Sequence, residues 1–364
     1  MTMTTRKMPV SLDEIVDLAL EVGASDIHFK PDMAPVLRVD GKIRSIPGMS
    51  PIPAADLKNG LLGLCTPKQL ANFERDQELD TALVFPGKAR VRVNIYTEIE
   101  GVGCAMRLVP LEVPSVQALG LPPVIENLTR NRSGLILVTG VTGAGKSTTL
   151  AAMIDAINQR EALHVYTMED PVEFVHRSKK SVFTQREIGT TTKSFGSALR
   201  SALRADPNVL LIGEMRDAET ILAAIKAAET GHLVFSTLHT SSAPKTIQRI
   251  LSVFPPAEQE AVRQQLAYTL KAVVAQQLVP LIDGGRMAIH EILVVTLTIQ
   301  EAILRGDIDS IPEYIKNGGF DGMQTMDSAL YNAYHDGFID GDTAKSYSLN
   351  SGEMERILRG ATMM

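Results

Sequence analysis

Residues 134–147 read Gly134-Leu-Ile-Leu-Val-Thr139-Gly140-Val-Thr-Gly-Ala-Gly145-Lys146-Ser147. The first six form an apolar run bounded by glycines, short enough to be a strand buried on both faces of a parallel sheet. The next eight fit the phosphate-binding loop G-x-x-x-x-G-K-[ST]. Glycines let the backbone curl so that its N–H groups converge on phosphate oxygens. Lys146 supplies a point charge for the β- and γ-phosphates, and the Ser147 hydroxyl is a magnesium ligand. A helix expected over Thr148–Asn158 follows the loop, and its N-terminal dipole favours an anion. The expected nucleotide-binding residues are therefore Gly140, Thr142, Gly143, Ala144, Gly145, Lys146, Ser147 and Thr148.

Further short apolar runs flank this one: Leu163–Met168, Val209–Ile212 and Leu233–Thr237. Helical patterns separate them, as in Glu219–Thr230, where apolar residues at 221, 222, 224, 225 and 228 precede a stop at Gly231. Such alternation predicts a doubly wound parallel sheet. From Pro256 a helical pattern runs through Leu278 and opens a mostly helical C-terminal part.

Upstream, residues 10–109 read as a separate α/β unit. Leu12–Leu20 has helical spacing ending at Gly23, and Asp26–Phe29 and Val36–Val39 read as strands, the latter entering a turn at Asp40-Gly41. Ala89–Tyr96 alternates strictly, with Cys104–Val109 as its expected partner. Four prolines fall between Pro110 and Pro123, marking a linker. The expected division is an N-terminal domain over 1–109, a linker over 110–123, an ATPase core over 124–290 and a helical region over 291–364.

At 364 residues, 45% hydrophobic and 21% charged, the chain can bury more than one core. Its formal net charge of -6 supplies no global attraction for nucleic acid, so no nucleic-acid partner is expected. Cys65 and Cys104 are the two cysteines, far apart and without a partner at metal-ligand spacing, which excludes a zinc ribbon and fits a reducing compartment. Met1–Met8 carries no apolar leader pattern, and no apolar run approaches the ~20 residues needed to cross a bilayer. Membrane insertion is therefore not expected.

Three segments carry further chemistry. Val209-Leu-Leu-Ile-Gly-Glu214-Met-Arg-Asp217 is a buried strand ending in acids, where Glu214 is placed to hold Mg²⁺ beside a phosphate-binding loop on a neighbouring strand. Met168-Glu-Asp-Pro-Val-Glu173 gathers three carboxylates in five residues. Like charges so close call for a cation or a proton among them, so the cluster suits Mg²⁺ binding or activation of water, with a solvated acidic loop as the alternative. Gly231–Thr240 holds His232 and His239, which an extended chain sets ~20 Å apart, too far to share a metal. Arg90 and Arg92 alternate with Val91 and Val93, so they share a sheet face, and Arg107 lies on the expected partner strand. A solvated face is the simpler reading of those arginines taken alone.

In this order the motifs resemble the secretion ATPase superfamily, and within it the PilT/PilU family of type IV pilus retraction ATPases. The resemblance is dense from Gly134 to Glu291, through Gly140–Leu150, Glu169–His176, Ser194–Pro207, Gly213–Asp217 and Ala227–Thr240. Ala24-Ser-Asp-Ile-His28 and Arg38-Val-Asp-Gly41 extend it upstream. It implies a RecA-like P-loop NTPase domain, an N-terminal α+β domain of PAS-like type and a helical C-terminal region. It also implies ATP and Mg²⁺ as ligands, with Ser147 and Glu214 at the metal and Glu173 activating water. Glu214 falls in the family's Walker B box and His232 and His239 in its His box, where His239 is expected to be catalytic and His232 to bind nucleotide. Arg92 and Arg107 match arginines that reach a neighbouring subunit's nucleotide.

The resemblance further implies a cytoplasmic homo-hexamer, peripherally associated with the inner membrane through a pilus platform protein and powering retraction. The alternatives are an assembly or secretion ATPase of the same superfamily, or a nucleotide-gated scaffold. One departure is local: where PilT proteins carry Ala-Ile-Arg-Asn-Leu-Ile-Arg-Glu, this chain reads Thr298-Ile-Gln-Glu-Ala-Ile-Leu-Arg305. From Gly322 onward the tail is more similar to PilU.

Overall fold

The computed structural model describes residues 11–39, 41–110 and 112–360. Asp40, read above as part of a turn, and the Met1–Met8 segment lie outside the described residues. The chain divides into two compact units between residues 112 and 113.

In the first unit, strands β1 (Asp26–Phe29), β2 (Val36–Val39), β3 (Lys42–Ser45), β4 (Glu78–Phe85), β5 (Ala89–Glu98) and β6 (Gly101–Pro110) form an antiparallel sheet of order β3-β2-β1-β6-β5-β4. Helices α1 (Leu12–Glu21), α2 (Ala54–Leu62) and α3 (Pro67–Asp76) accompany it. Strict alternation decides which side chains are inside. Ala89, Val91, Val93 and Ile95 of β5 are buried and pack with Ile15 and Val16 of α1 and Leu57 and Leu61 of α2. Arg90 and Arg92 turn to the opposite face. The expected pairing of β5 with β6 is present, and it sets Arg92 directly opposite Arg107.

In the second unit the strands are β7 (Gly134–Thr139), β8 (His164–Glu169), β9 (Val182–Glu187), β10 (Val209–Ile212), β11 (Leu233–Leu238), β12 (Leu270–Pro280) and β13 (Arg286–Val294). Their order is β13-β12-β7-β11-β10-β8-β9, parallel except for the antiparallel edge strand β13. Helices α4 (Pro123–Leu128), α5 (Lys146–Arg160), α6 (Phe195–Ala202), α7 (Ala218–Glu229), α8 (Ala243–Ser252), α9 (Pro256–Thr269), α10 (Leu297–Arg305) and α11 (Ile311–Asn317) cover both faces. All six residues of β7 are buried, and they alternate between two cores. Leu135 and Leu137 pack in the core that holds α6 to α11, whereas Ile136 and Val138 pack with α4 and α5. This is the doubly wound arrangement expected of a RecA-like domain. Helices α12 (Met326–His335), α13 (Gly341–Tyr347) and α14 (Ser351–Leu358) form a smaller core with Val279 and Ile289.

Three readings of the sequence need correction. The helical pattern from Pro256 does not continue through Leu278: α9 ends at Thr269, and residues 270–280 are strand β12. Ala272–Ala275 is fully buried between β7 and β13, so it carries apolar side chains on both faces and shows no period. Likewise Glu291–Val294 completes β13, and the C-terminal helices begin at Leu297. Within the stretch read as a linker, Val116 and Leu121 are buried in the core that includes Ile125 and Leu128. Proline stops a helix or strand, but it does not keep neighbouring apolar side chains out of a core.

Candidate nucleotide-binding site

Parallel strands align the carboxyl ends of β7, β8, β10 and β11 along one edge of the second sheet, where ligands of such folds bind. The loop after β7 curls through left-handed conformations at Gly143 (φ 81°) and Gly145 (φ 84°), which side chains other than glycine disfavour. Gly140 has a second constraint: a Cβ there would collide with the main-chain carbonyl of Gln276 on β12. Lys146, the first residue of α5, is buried, and its Nζ donates to the carbonyls of Gly140 (2.8 Å) and Val141 (3.0 Å). Burial pulls its pKa down, while the carboxylates of Glu214 and Glu173 act in the opposite direction. The lysine therefore lies within electrostatic reach of both acids singled out from the sequence.

Glu214 follows β10. The sequence reading put that strand next to β7, but β11 lies between them. The insertion has a use, because β11 holds the turn that carries Glu214. Ser236 Oγ donates to the Ile212 carbonyl (2.7 Å), Thr237 Oγ1 donates to the Gly213 carbonyl (2.6 Å), and the Met215 N–H donates to the Thr237 carbonyl (3.3 Å). One carboxylate oxygen of Glu214 lies 2.7 Å from Arg216 Nε and 3.2 Å from His239 Nε2. Burial pushes the Glu214 carboxyl up, but these two partners outweigh it and hold the group below its ordinary value. Asp217 is the N-cap of α7, accepting from the Thr220 N–H at 2.8 Å and the Thr220 hydroxyl at 2.9 Å.

Glu169 ends β8 and is buried. It accepts from Thr167 Oγ1 (2.7 Å) and from the Glu173 N–H (3.4 Å). Burial pushes its carboxyl up to about 7, and the nearby Glu173 charge adds to the rise. The loop that carries Glu173 is anchored on β9: Gln185 Nε2 donates to the Phe174 carbonyl (2.9 Å), and Gln185 Oε1 accepts from the His176 N–H (2.8 Å). The His176 ring stacks on Phe183 with centroids 4.8 Å apart. Glu169 is thus built into the sheet edge, whereas Asp170 is exposed and Glu173 half-buried on the loop that follows.

The two histidines separate along β11. His239 follows its carboxyl end, beside Glu214. His232 precedes its amino end, roughly 20 Å away at strand rise, and its Nδ1 lies 2.9 Å from the Ala227 carbonyl. His232 therefore lies at the amino end of the parallel strands, next to Gly134, and the phosphate-binding loop lies at their carboxyl end. Arg92 and Arg107 lie in the first unit, where Arg107 Nε donates to Asp26 Oδ1 (2.9 Å) and Asp26 accepts from the Ser25 hydroxyl (2.8 Å).

Sequence reasoning missed Gln276. It is 2% exposed on β12; its Nε2 donates to the Ala144 carbonyl (2.6 Å) and its Oε1 accepts from Thr149 Oγ1 (2.7 Å). The available signal was a pair of amides, Gln276 and Gln277, within an otherwise apolar buried run. The misassigned helix hid it.

Residues 5–284 match the family described as type II/IV secretion system protein. The chain is 43% identical to the type IV pilus retraction ATPase PilT of Pseudomonas aeruginosa over 336 residues, 92% of this chain and 97% of that one. It is 34% identical to the type IV pilus ATPase PilU of the same organism, covering 96% of this chain and 92% of PilU. A crystal structure of the pilus retraction motor PilT with bound ADP superposes with a TM-score of 0.87 at 40% identity, covering 95% of this chain and 99% of that one. The chain belongs to the type II/IV secretion system protein family and, within it, to the type IV pilus retraction ATPases.

Proposed function

We propose that the chain is an ATP-hydrolysing motor that retracts type IV pili, working in the cytoplasm as a homo-hexameric ring against an inner-membrane platform protein. The observation that carries this reading is that the phosphate-binding loop after β7, Glu173 beyond β8 and Glu214 after β10 lie along one carboxyl edge of the sheet, with Lys146 within electrostatic reach of both carboxylates. Likeness to PilT over nearly its whole length supports the retraction role, and 43% identity with PilT against 34% with PilU favours a PilT-like motor.

In this proposal the triphosphate sits in the N–H groups of residues 140–148, with Lys146 turning to its β- and γ-phosphates. Glu173 accepts a proton from water as that water attacks the γ-phosphorus, and the bond to the β-phosphate oxygen breaks. His239 and Arg216 orient Glu214. Arg92 and Arg107 supply positive charge to the nucleotide of the next subunit. The Glu214 carboxylate and Ser147 hydroxyl are hard oxygen donors of the kind Mg²⁺ takes alongside substrate phosphates. When bound, Mg²⁺ offsets negative charge on the phosphate oxygens.

Among the described residues no helix is long and apolar enough to cross a membrane, so attachment would run through the partner. Deleting the gene and complementing it with wild type or Lys146→Ala tests the direction of work. Cells with excess pili that cannot twitch are expected for the deletion and for Lys146→Ala. Cells without pili would overturn retraction in favour of assembly.

A further inference from the structure

Peptide geometry links the buried amide of Gln276 to the anion-facing side of the phosphate-binding loop. A trans peptide is planar, with its C=O and N–H pointing in opposite directions. Fixing the Ala144 carbonyl therefore fixes the direction of the Gly145 N–H. Gln276 Nε2 holds that carbonyl at 2.6 Å, while its Oε1 is held by Thr149 Oγ1 at 2.7 Å, one turn into α5. Both ends of one side chain are thus used, and both partners belong to the phosphate-binding element. Gly145 also packs against this amide: a Cβ there would lie 2.9 Å from Gln276 Nε2. The main chain of the same residue confines Gly140 at the start of the loop.

We infer that Gln276 is a positioning residue for nucleotide binding, a strut from β12 that aims the Gly145 N–H at the phosphates and ties the loop to the first turn of α5. The inference rests on the ATP-binding reading proposed above. A glutamine suits the task because its amide donates at one atom and accepts at the other. Methionine has similar reach and neither function. Glutamate keeps the acceptor for Thr149, but once ionised it turns a second acceptor toward the Ala144 carbonyl. Only when protonated can it donate there, and burial favours the protonated form.

The test uses the full chain and measures binding of ATP, ADP and adenosine by calorimetry, with melting temperature followed in the absence of nucleotide. Gln276→Met is expected to weaken ATP and ADP about tenfold or more, the loss of a buried hydrogen bond. Adenosine binding should change little, because the strut acts on phosphate contacts. Gln276→Glu is expected to bind ATP poorly at pH 8 and to regain affinity relative to wild type as pH falls toward 6. A purely structural role would not move that pH profile. Should Gln276→Met misfold, Thr149→Val, which removes only the acceptor-side anchor, should still weaken ATP more than adenosine. If folded Gln276→Met binds ATP like wild type, or loses ATP and adenosine equally, the inference fails while the ATP-binding reading stands. If wild type itself fails to bind ATP, that earlier reading fails first.

Discussion

His239 Nε2 lies 3.2 Å from Glu214 Oε1, joining the end of β11 to the turn that follows β10. The contact spans two adjacent parallel strands at the sheet edge that also carries the phosphate-binding loop. His232, at the other end of the strand, instead contacts the Ala227 carbonyl at the end of α7.

The contrast between the two histidines can be measured. His239→Ala should lower kcat for ATP hydrolysis by about tenfold or more, because the half-buried Glu214 carboxylate loses a hydrogen bond that orients it. His232→Ala should leave ATP affinity of the isolated chain unchanged. Parallel kcat and Kd measurements on the two variants check both statements.

Glu169 makes stability depend on pH. Its carboxyl titrates near 7 in the folded chain and at an ordinary glutamate value when unfolded. The folded state therefore keeps a proton that the unfolded state has released between about pH 4.5 and 7, and stability falls as pH rises through that window. The full effect is on the order of 3 kcal/mol. Glu169→Gln removes the titration, so it should melt higher than wild type at pH 8, with the difference closing below about pH 5. Paired melting curves from pH 5 to 8 without nucleotide give the answer. A difference that does not vary with pH would remove Glu169 from this role.

Arg107 is paired with Asp26, but its side chain is 57% exposed, so the pair contributes no more than about 1 kcal/mol to stability. Arg107→Ala should accordingly fold and melt like wild type. If Arg107 reaches the nucleotide of the next subunit, the variant should still bind ATP while kcat drops about a thousandfold. Normal turnover in an assembled ring would return Arg107 to a surface ion pair.

How much of this was legible in the sequence depended on local patterns. The phosphate-binding loop could be read because its glycines and Lys146 are required by backbone geometry and charge within eight residues. Strand β5 could be read because one face is wet, leaving Ala89-Arg-Val-Arg-Val to alternate. Strand β12 could not, since it is dry on both faces and a continuous apolar run has no period. Missing β12 also concealed Gln276, whose partners Ala144 and Thr149 lie more than a hundred residues away. Strand order was equally silent: nothing local indicates that β11 separates β7 from β10, although Ser236 and Thr237 owe their hydrogen bonds to that placement.

Phosphate release by the purified full chain with MgATP is the most direct measurement, made on wild type, Lys146→Ala and Glu173→Gln. Wild type should turn over steadily, and Lys146→Ala should lose about two to three orders of magnitude together with ATP affinity. Glu173→Gln should lose a comparable factor while still binding ATP. Turnover by Lys146→Ala equal to that of wild type would contradict the account at its base.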